Sequence, residues 1–463
     1  LTLDDIERIL SLTIKRDKEV KIITFLGMIT AYTDDAQVNI AFISPASTGK
    51  SHIPLEIAKY FPEGDVIEIA YASPTAFFHT TDKRYVEYIR EEYLKKINFE
   101  RKILVFIDQP HSELLERLRP LLSHDKKNLV IRITDKNKKG QFRAQNIMLV
   151  GFPVVIFCSA NTFMNEQESS RLILISPQMD EEKIKEVLEY KIEKEANENF
   201  NQNIENNPER LSLKRRIEVI RNLRFKGVRI EKCELIDKYL EERKKEGLVS
   251  IDTRNIDKLY SIIKALTLLN FPYREIKGKT LIANRKDIEI GLNLWKEVEK
   301  YQNFGIPPYI YWFYEQVVIP VYKKKMKENK ELKGIKKKDL LSYQIKGGLQ
   351  KLISEKRLRI EILPTLINSG FIREEKEKLK KLGIKLLSPL KAIKEYCLRC
   401  CYGDRKYLKE CPSVNCSVWE YRLGKNPCLK GKRKNNLRPN HQKYGQKIQV
   451  DEAFFKNKDE IFV

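Results

Sequence analysis

Residues 44–51 read Ser-Pro-Ala-Ser-Thr-Gly-Lys-Ser, and the segments on either side of this octet decide the fold. The apolar run from Val38 to Ile43 reads as a buried strand, and Ile53 to Tyr60 carries helical apolar spacing. Strand, loop, Gly-Lys-Ser and helix together form the context of a phosphate-binding P-loop. In such a loop the backbone around Ser47, Thr48 and Gly49 cradles phosphates. Lys50 reaches the terminal phosphates, and the Ser51 hydroxyl can hold Mg²⁺. The usual first glycine is Ser44 here, which fits if its backbone dihedrals are ordinary. Pro54 lies just inside the helix and removes one N–H.

Downstream, strand and helix patterns alternate to residue 178. Val66–Ala70 reads as a second strand, followed by a helix rich in Tyr and charge. Ile103–Ile107 is continuously apolar, as a strand buried on both faces would be. It ends at Asp108, where a Walker B carboxylate would order Mg²⁺ and water. Leu129–Thr134 and Gln141–Val150 are strand-like and flank Asp135-Lys136-Asn137-Lys138-Lys139-Gly140, so the pair reads as a hairpin with a basic tip. Val154–Cys158 is a further buried strand, ending at Ser159-Ala160-Asn161. Ser170-Arg171 leads into the strand Leu172–Ser176. Residues 1–36 and 179–300 read as helical, with an Asn-rich loop at 196–207 and a helix starting near Arg254.

In this order, the P-loop, Asp108, the basic hairpin, Asn161, Arg171 and Arg254 resemble the AAA+ ATPases. Within them they resemble the clade with a hairpin before sensor 1, which includes minichromosome maintenance and superfamily 3 replicative helicases. The resemblance covers residues 37–300 and is one of motif order. It implies an α/β core, a parallel sheet with flanking helices, followed by a helical lid. It also implies that Asn161 is sensor 1, Arg171 an arginine finger acting on a neighbouring subunit, and Arg254 sensor 2. A guanidinium in such a role stabilises charge spread over the γ-phosphate. In these helicases the hairpin grips the nucleic-acid backbone, a role for Lys136, Lys138 and Lys139 that needs no sequence readout. The family usually has glutamate after the Walker B aspartate, as the base or orienting acceptor for water; here the residue is Gln109. Either the amide is natural, with slow turnover or help from Glu113, or it replaces a glutamate and traps an ATP-bound ring.

Residues 301–388 resemble a winged-helix domain. Helices are expected at Tyr309–Lys325, Ile335–Tyr343 and Leu352–Asn368, the last bent or broken by Pro364, and a wing is expected from Gly370 to Leu387. Six of the eight cysteines fall between Cys397 and Cys428. Cys397-x₂-Cys400 and Cys411-x₄-Cys416 have the spacing of a four-thiolate structural Zn²⁺ site. Cys401 and Cys428 are spare, and either could replace one ligand. Basic and aromatic residues interleave around this module, which spans 389–430, and a basic tail covers 431–463. The five histidines show no metal spacing.

Lys and Arg number 88 against 64 Asp and Glu in 463 residues, a net charge of +24 that favours a polyanionic partner. No apolar run reaches the roughly 18 residues of a membrane helix, and no secretory signal is visible. The chain begins at Leu1, as a trimmed chain would. Cysteine clustering points to a reducing compartment. The expectation is a cytoplasmic, ring-forming, hexameric ATP-driven helicase acting on single-stranded or forked DNA, serving a virus, plasmid or integrated element. The competing expectations are an ATP-dependent DNA-binding switch, such as a helicase loader or transposition regulator, and an initiator protein whose ATP site is only structural.

Overall fold

The computed structural model describes residues 1–70, 73, 76–80, 82–84, 86–89, 94–136, 142–160, 166–223, 225, 227–328, 335–346, 353–372, 389–401, 405–412, 416 and 421–423. Two compact units are present, Leu1–Arg373 and Glu374–Val463.

The first unit opens with α1 (Leu3–Leu10) and α2 (Lys18–Ile29). Thr2 and Asp5 cap α1 reciprocally: Asp5 N donates to Thr2 Oγ1 at 3.1 Å and Thr2 N donates to Asp5 Oδ2 at 2.9 Å. There follow β1 (Asn39–Ile43), α3 (His52–Ala58), β2 (Val66–Ile69), β3 (Val86–Ile89), β4 (Leu94–Asn98), β5 (Ile103–Phe106) and α4 (Ser112–Leu122). Next come β6 (Asn128–Lys136), β7 (Phe142–Val150), β8 (Val154–Ser159), α5 (Glu166–Ser169) and β9 (Leu172–Ile175).

β2, β5, β8, β1 and β9 form one parallel sheet in that order. Its strands alternate between two cores, as period 2 requires. Ile40, Phe42, Val105, Ile156 and Ile173 face one core with α2, α3 and later helices. Ala41, Ile43, Leu104, Val155, Phe157 and Leu174 face the other with α4. Being covered on both faces, these strands read as the unbroken apolar runs seen in the sequence. The edge strand β9 is closed off by side chains: Gln302 Oε1 accepts from Leu174 N at 3.0 Å, while Gln302 Nε2 and Lys258 Nζ donate to Leu172 O at 2.8 and 3.0 Å.

A second sheet has the order β3-β4-β7-β6. The expected hairpin is its β6–β7 pair, running from Asn128 opposite Val150 to Lys136 opposite Phe142. The helix expected after β2 is not found among the described residues. Residues 86–89 and 94–98 are strands instead, with Val86 opposite Ile97 and β4 parallel to β7. The apolar residues of this segment suit either period, and pairing with β7 decides between them. Lys95, buried, also donates to Phe78 O at 2.8 Å and to Thr80 O.

Residues 179–300 hold α6 (Glu181–Ala196), α7 (Phe200–Glu205), α8 (Pro208–Asn222), β10 (Gly227–Arg229), α9 (Glu234–Glu246), α10 (Asp252–Leu269), β11 (Ile276–Lys277), β12 (Thr280–Ile282) and α11 (Arg285–Gln302). The Asn-rich loop is therefore partly helical: α7 lies inside it, with Phe200 buried and its ring 5.2 Å from that of Tyr190. The region also contains a three-stranded sheet, β10-β12-β11, so it is not purely helical.

Residues 308–328 form a helix with a π turn at Tyr314–Val318, and 355–368 another with a π turn at Leu358–Ile362. Each π turn lies just before a proline, Pro320 or Pro364. A proline lacks the N–H for the carbonyl four residues back and crowds it; a widened turn relieves both. Pro364 thus leaves the helix continuous. Gly370, at φ +77°, then ends it, with Phe371 N donating back to Leu366 O at 2.9 Å. These helices, together with the helix Lys337–Lys346, bury Tyr309, Phe313, Leu340, Leu358 and Leu366 in the same core as Phe157 and Leu174. The rest of the expected wing lies outside the described residues.

Candidate functional site

All five central strands point the same way, so the segments following β1, β5, β8 and β9 gather at one edge of the sheet, where open α/β sheets bind ligands. The octet 44–51 leaves β1 there. Its backbone is left-handed at Ser47 (φ +65°) and Gly49 (φ +88°), and a Cβ at Gly49 would meet nothing within 4 Å. A serine held at positive φ carries strain, and alternating hand turns successive N–H groups toward one concavity, which suits an anion. Ser44 has no positive φ, so the missing glycine costs nothing. Its buried hydroxyl lies 2.5 Å from Thr48 Oγ1, which donates to Pro45 O at 3.0 Å. Lys50 Nζ lies within 3.3 Å of Ser44 O and 3.2 Å of Pro45 O.

The loop is supported from beneath. Lys183, at the start of α6, donates to Thr48 O at 3.2 Å and to Gln178 O at 3.1 Å and pairs with buried Asp17. Burial raises the Asp17 carboxyl above its usual range, and the Lys183 ammonium opposes that rise. Gln178 N donates to Asp17 Oδ1 at 2.6 Å. This links the N-terminal segment to the octet, and nothing in the sequence pattern signals it.

Asp108 and Gln109 follow β5 at the same edge. Gln109 N donates to Asp108 Oδ1 at 2.8 Å, and Gln109 Oε1 accepts from Ser159 Oγ at 2.6 Å. Ser159 O in turn accepts from Ser44 N at 3.3 Å. Cys158 lies between the two motifs. Its Sγ is 3.2 Å from Lys50 O; burial pushes its thiol up to about 12, opposed by a hydrogen bond to Ser51 and by the Lys50 charge, and helped by the Asp108 charge. The octet and Asp108 are therefore neighbours across β8. This arrangement offers a backbone cradle, a cation, a hydroxyl and a carboxylate, the parts that hold a phosphate chain and its Mg²⁺. Asn161 lies outside the described residues. Sequence reasoning missed Arg357, whose Nη2 is 3.5 Å from Ala160 O. Its Nε donates to Glu361 Oε2 at 2.6 Å, and Tyr309 OH also donates to Glu361.

Arg171 and Arg254 lie elsewhere. Arg254 Nη1 donates to Ser170 Oγ and Arg171 Nε to Ser123 Oγ at the end of α4. Burial and then the Arg254 charge lower the affinity of Arg171 for its proton. Leu172 is level with Asn39, at the start of β1. From there to Ser44 is about 17 Å at roughly 3.3 Å per residue. Both arginines thus belong to the edge opposite the octet.

At the hairpin, Lys136 ends β6. Lys138 and Lys139 lie outside the described residues. In the second unit, Cys397 and Cys400 are on the helix Pro389–Cys400. Cys397 and Cys401 are buried with Leu408, against Cys411. Burial raises the Cys397 thiol, and Cys416, Cys400 and Cys411 add to the rise. Burial also raises the Cys401 thiol, and Cys411 is its hydrogen-bonding neighbour. The four expected ligands and Cys401 are therefore within electrostatic reach of one another, and their soft donors suit Zn²⁺. Among the described residues, however, no three such side chains converge as a metal site. Cys428 lies outside the described residues. No helix among them is long and apolar enough to cross a membrane.

No family model and no curated protein matches the chain.

Proposed function

We propose that this chain is an ATP-binding motor of the AAA+ type that hydrolyses ATP while moving on DNA, as the replicative helicase of a virus, plasmid or integrated element. The observation that carries the reading is the neighbourhood of the octet and Asp108: two motifs 57 positions apart by their numbering (51 to 108) meet around Cys158 at the carboxyl edge of one parallel sheet. Lys50 would hold the β- and γ-phosphates, Ser51 and Asp108 the Mg²⁺, and Asn161 the attacking water.

A ring, in our reading a hexamer, follows from Arg171. Its distance from its own P-loop suits a finger acting on the neighbouring subunit, and Arg254 beside it suits the same interface. Head-to-tail contacts of this kind close into rings. The exposed stripe Ile184, Leu188 and Ile192 on α6, the helix that supports the octet, suits the other side of that contact. The β6–β7 hairpin would carry Lys136, Lys138 and Lys139 to single-stranded or forked DNA, which agrees with the net charge of +24. The second unit would hold Zn²⁺ through Cys397, Cys400, Cys411 and Cys416, with Cys401 able to replace an exposed ligand. Residues 301–388 would supply a winged-helix contact.

One observation favours the rival switch, a loader or transposition regulator that binds ATP and DNA but unwinds nothing. Gln109 cannot serve as a general base. The experiment that separates them compares ATP turnover and strand displacement by the parent chain, Lys50→Ala and Gln109→Glu. A motor gains at least roughly tenfold in turnover on Gln109→Glu, in line with the worth of a general base, and displaces a strand. Unchanged low turnover with intact ATP binding selects the switch.

A further inference from the structure

Ser159 joins both halves of the candidate site through different atoms. Its carbonyl oxygen accepts from Ser44 N, the first residue of the octet, at 3.3 Å. Its hydroxyl donates to Gln109 Oε1 at 2.6 Å. The residue is 1% exposed and paired with Ile43 across β8 and β1, so its backbone cannot drift. A carboxamide has one acceptor atom and one donor group. Ser159 takes one of the two lone pairs of Oε1 and so fixes the direction in which the N–H₂ group of Gln109 points.

We propose that Ser159 is a positioning residue that sets the orientation of the side chain at 109, and so the way water is handled beside the phosphates. This rests on the ATPase reading given above. In the step concerned, the oxygen of water forms a bond to the γ-phosphorus while the bond to the bridging β-phosphate oxygen breaks. ADP leaves with the electron pair. With glutamine at 109 the water's proton passes to a phosphate oxygen or to solvent, and the amide donates to oxygen. With glutamate the carboxylate takes the proton, and the same Ser159 hydroxyl donates to that carboxylate, orients it and favours its charged form.

The test uses the full chain carrying Gln109→Glu, with and without Ser159→Ala, and follows kcat, KM for ATP and the pH profile of kcat. Removing the hydroxyl leaves the Ser44 contact, which is made by the backbone. The expected result is a kcat about tenfold lower with KM within about twofold, because a group free to rotate loses its attack geometry. The acid limb should move to higher pH, since the carboxylate loses a donor that stabilised its charge. Ser159→Thr, which keeps a hydroxyl, should restore both. If the alanine chain does not fold, Ser159→Cys, close in size but a weak donor, should change both quantities in the same direction. Unmoved kcat and acid limb in folded Ser159→Ala or Ser159→Cys overturn the assignment while leaving the ATPase reading intact. If Gln109→Glu itself turns over no ATP, the ATPase reading fails and takes this assignment with it.

Discussion

Arg171 and Arg254 stand side by side at the edge of the sheet opposite the octet 44–51 of their own chain, each tied to a serine, Ser123 and Ser170. Two like charges brought together against repulsion, and partly out of water, suit a site that meets an anion. In the proposed ring that anion is the γ-phosphate held by the next subunit. Arg171→Ala should therefore keep ATP binding and lose about 10³-fold or more in turnover, the usual worth of an arginine finger. Mixing it with Lys50→Ala chains should restore part of the activity, because some interfaces then pair an intact finger with an intact loop. Arg254→Ala should behave likewise in the same mixing assay. A mixture no more active than its components would place both arginines outside catalysis.

Arg357 is a second cation on the carboxyl edge of the same chain, beside Ala160, the residue before the expected sensor 1. Glu361 holds it, and Tyr309 shares that carboxylate. If the phosphates occupy this edge, Arg357→Ala should weaken ATP binding in the isolated subunit, where Arg171→Ala should not. Titration with a fluorescent ATP analogue under conditions that prevent assembly would compare them. Equal affinities would confine Arg357 to packing against the Tyr309 ring, 5.8 Å away.

What could be read from the sequence was whatever local pattern decides. The runs Val38–Ile43, Ile103–Ile107 and Val154–Cys158 are apolar throughout because both faces of their strands are covered, so their nature survives without tertiary knowledge. The β6–β7 hairpin was legible from its turn residues. Residues 86–98 were not, because Val86, Tyr88 and Ile97 suit a helix as well as a strand and only pairing with β7 settles the matter. The octet, Asp108 and the arginines were legible as residue types. The edge each one occupies was not, since that depends on strand order. Lys183, Ser159 and Arg357 carried no signal: a lysine among the charges of α6 looks like any solvated residue until Thr48 O is found 3.2 Å away.

The cysteine module makes a prediction independent of the ATPase. Cys411 lies against both Cys397 and Cys401 in the small core with Leu408. If Zn²⁺ draws these thiols into one site, the parent chain should carry about one equivalent by metal analysis, and a chelator should unfold the second unit alone. Cys411→Ser should lose the metal and leave ATP binding unchanged. Cys401→Ser distinguishes the ligand sets: zinc loss there, with zinc kept in Cys400→Ser, would place Cys401 in the site. A parent chain free of zinc after expression in zinc-replete medium would end the proposal.

Lys258 gives the pH dependence. It lies on α10 one turn after Arg254, is almost wholly buried, and donates to Leu172 O at 3.0 Å and Asn255 Oδ1 at 3.3 Å. Burial first, and then the Arg254 charge, lower its pKa from 10.5 to about 7. The unfolded chain keeps this proton up to its ordinary pKa, whereas the folded chain releases it near neutrality. Between those values the unfolded state binds more protons, so stability rises with pH. The cost of charging a buried amine is fully present below about pH 7 and is relieved as pH climbs toward the unfolded value. Lys258→Met keeps the length of the side chain but has no proton to lose. Relative to that variant, the parent should gain about 2 kcal/mol between pH 7 and 9, the slope approaching roughly 1.4 kcal/mol per unit once the amine is neutral. Denaturant unfolding of both chains at the two pH values measures the difference. Because Lys258 also closes the edge of β9 beside Arg171, the methionine chain should be less stable than the parent at pH 9, where the amine is neutral and still hydrogen-bonded. A stability difference that stays constant from pH 7 to 9 would mean that Lys258 remains charged in the fold, with a counter-charge other than the groups that surround it here.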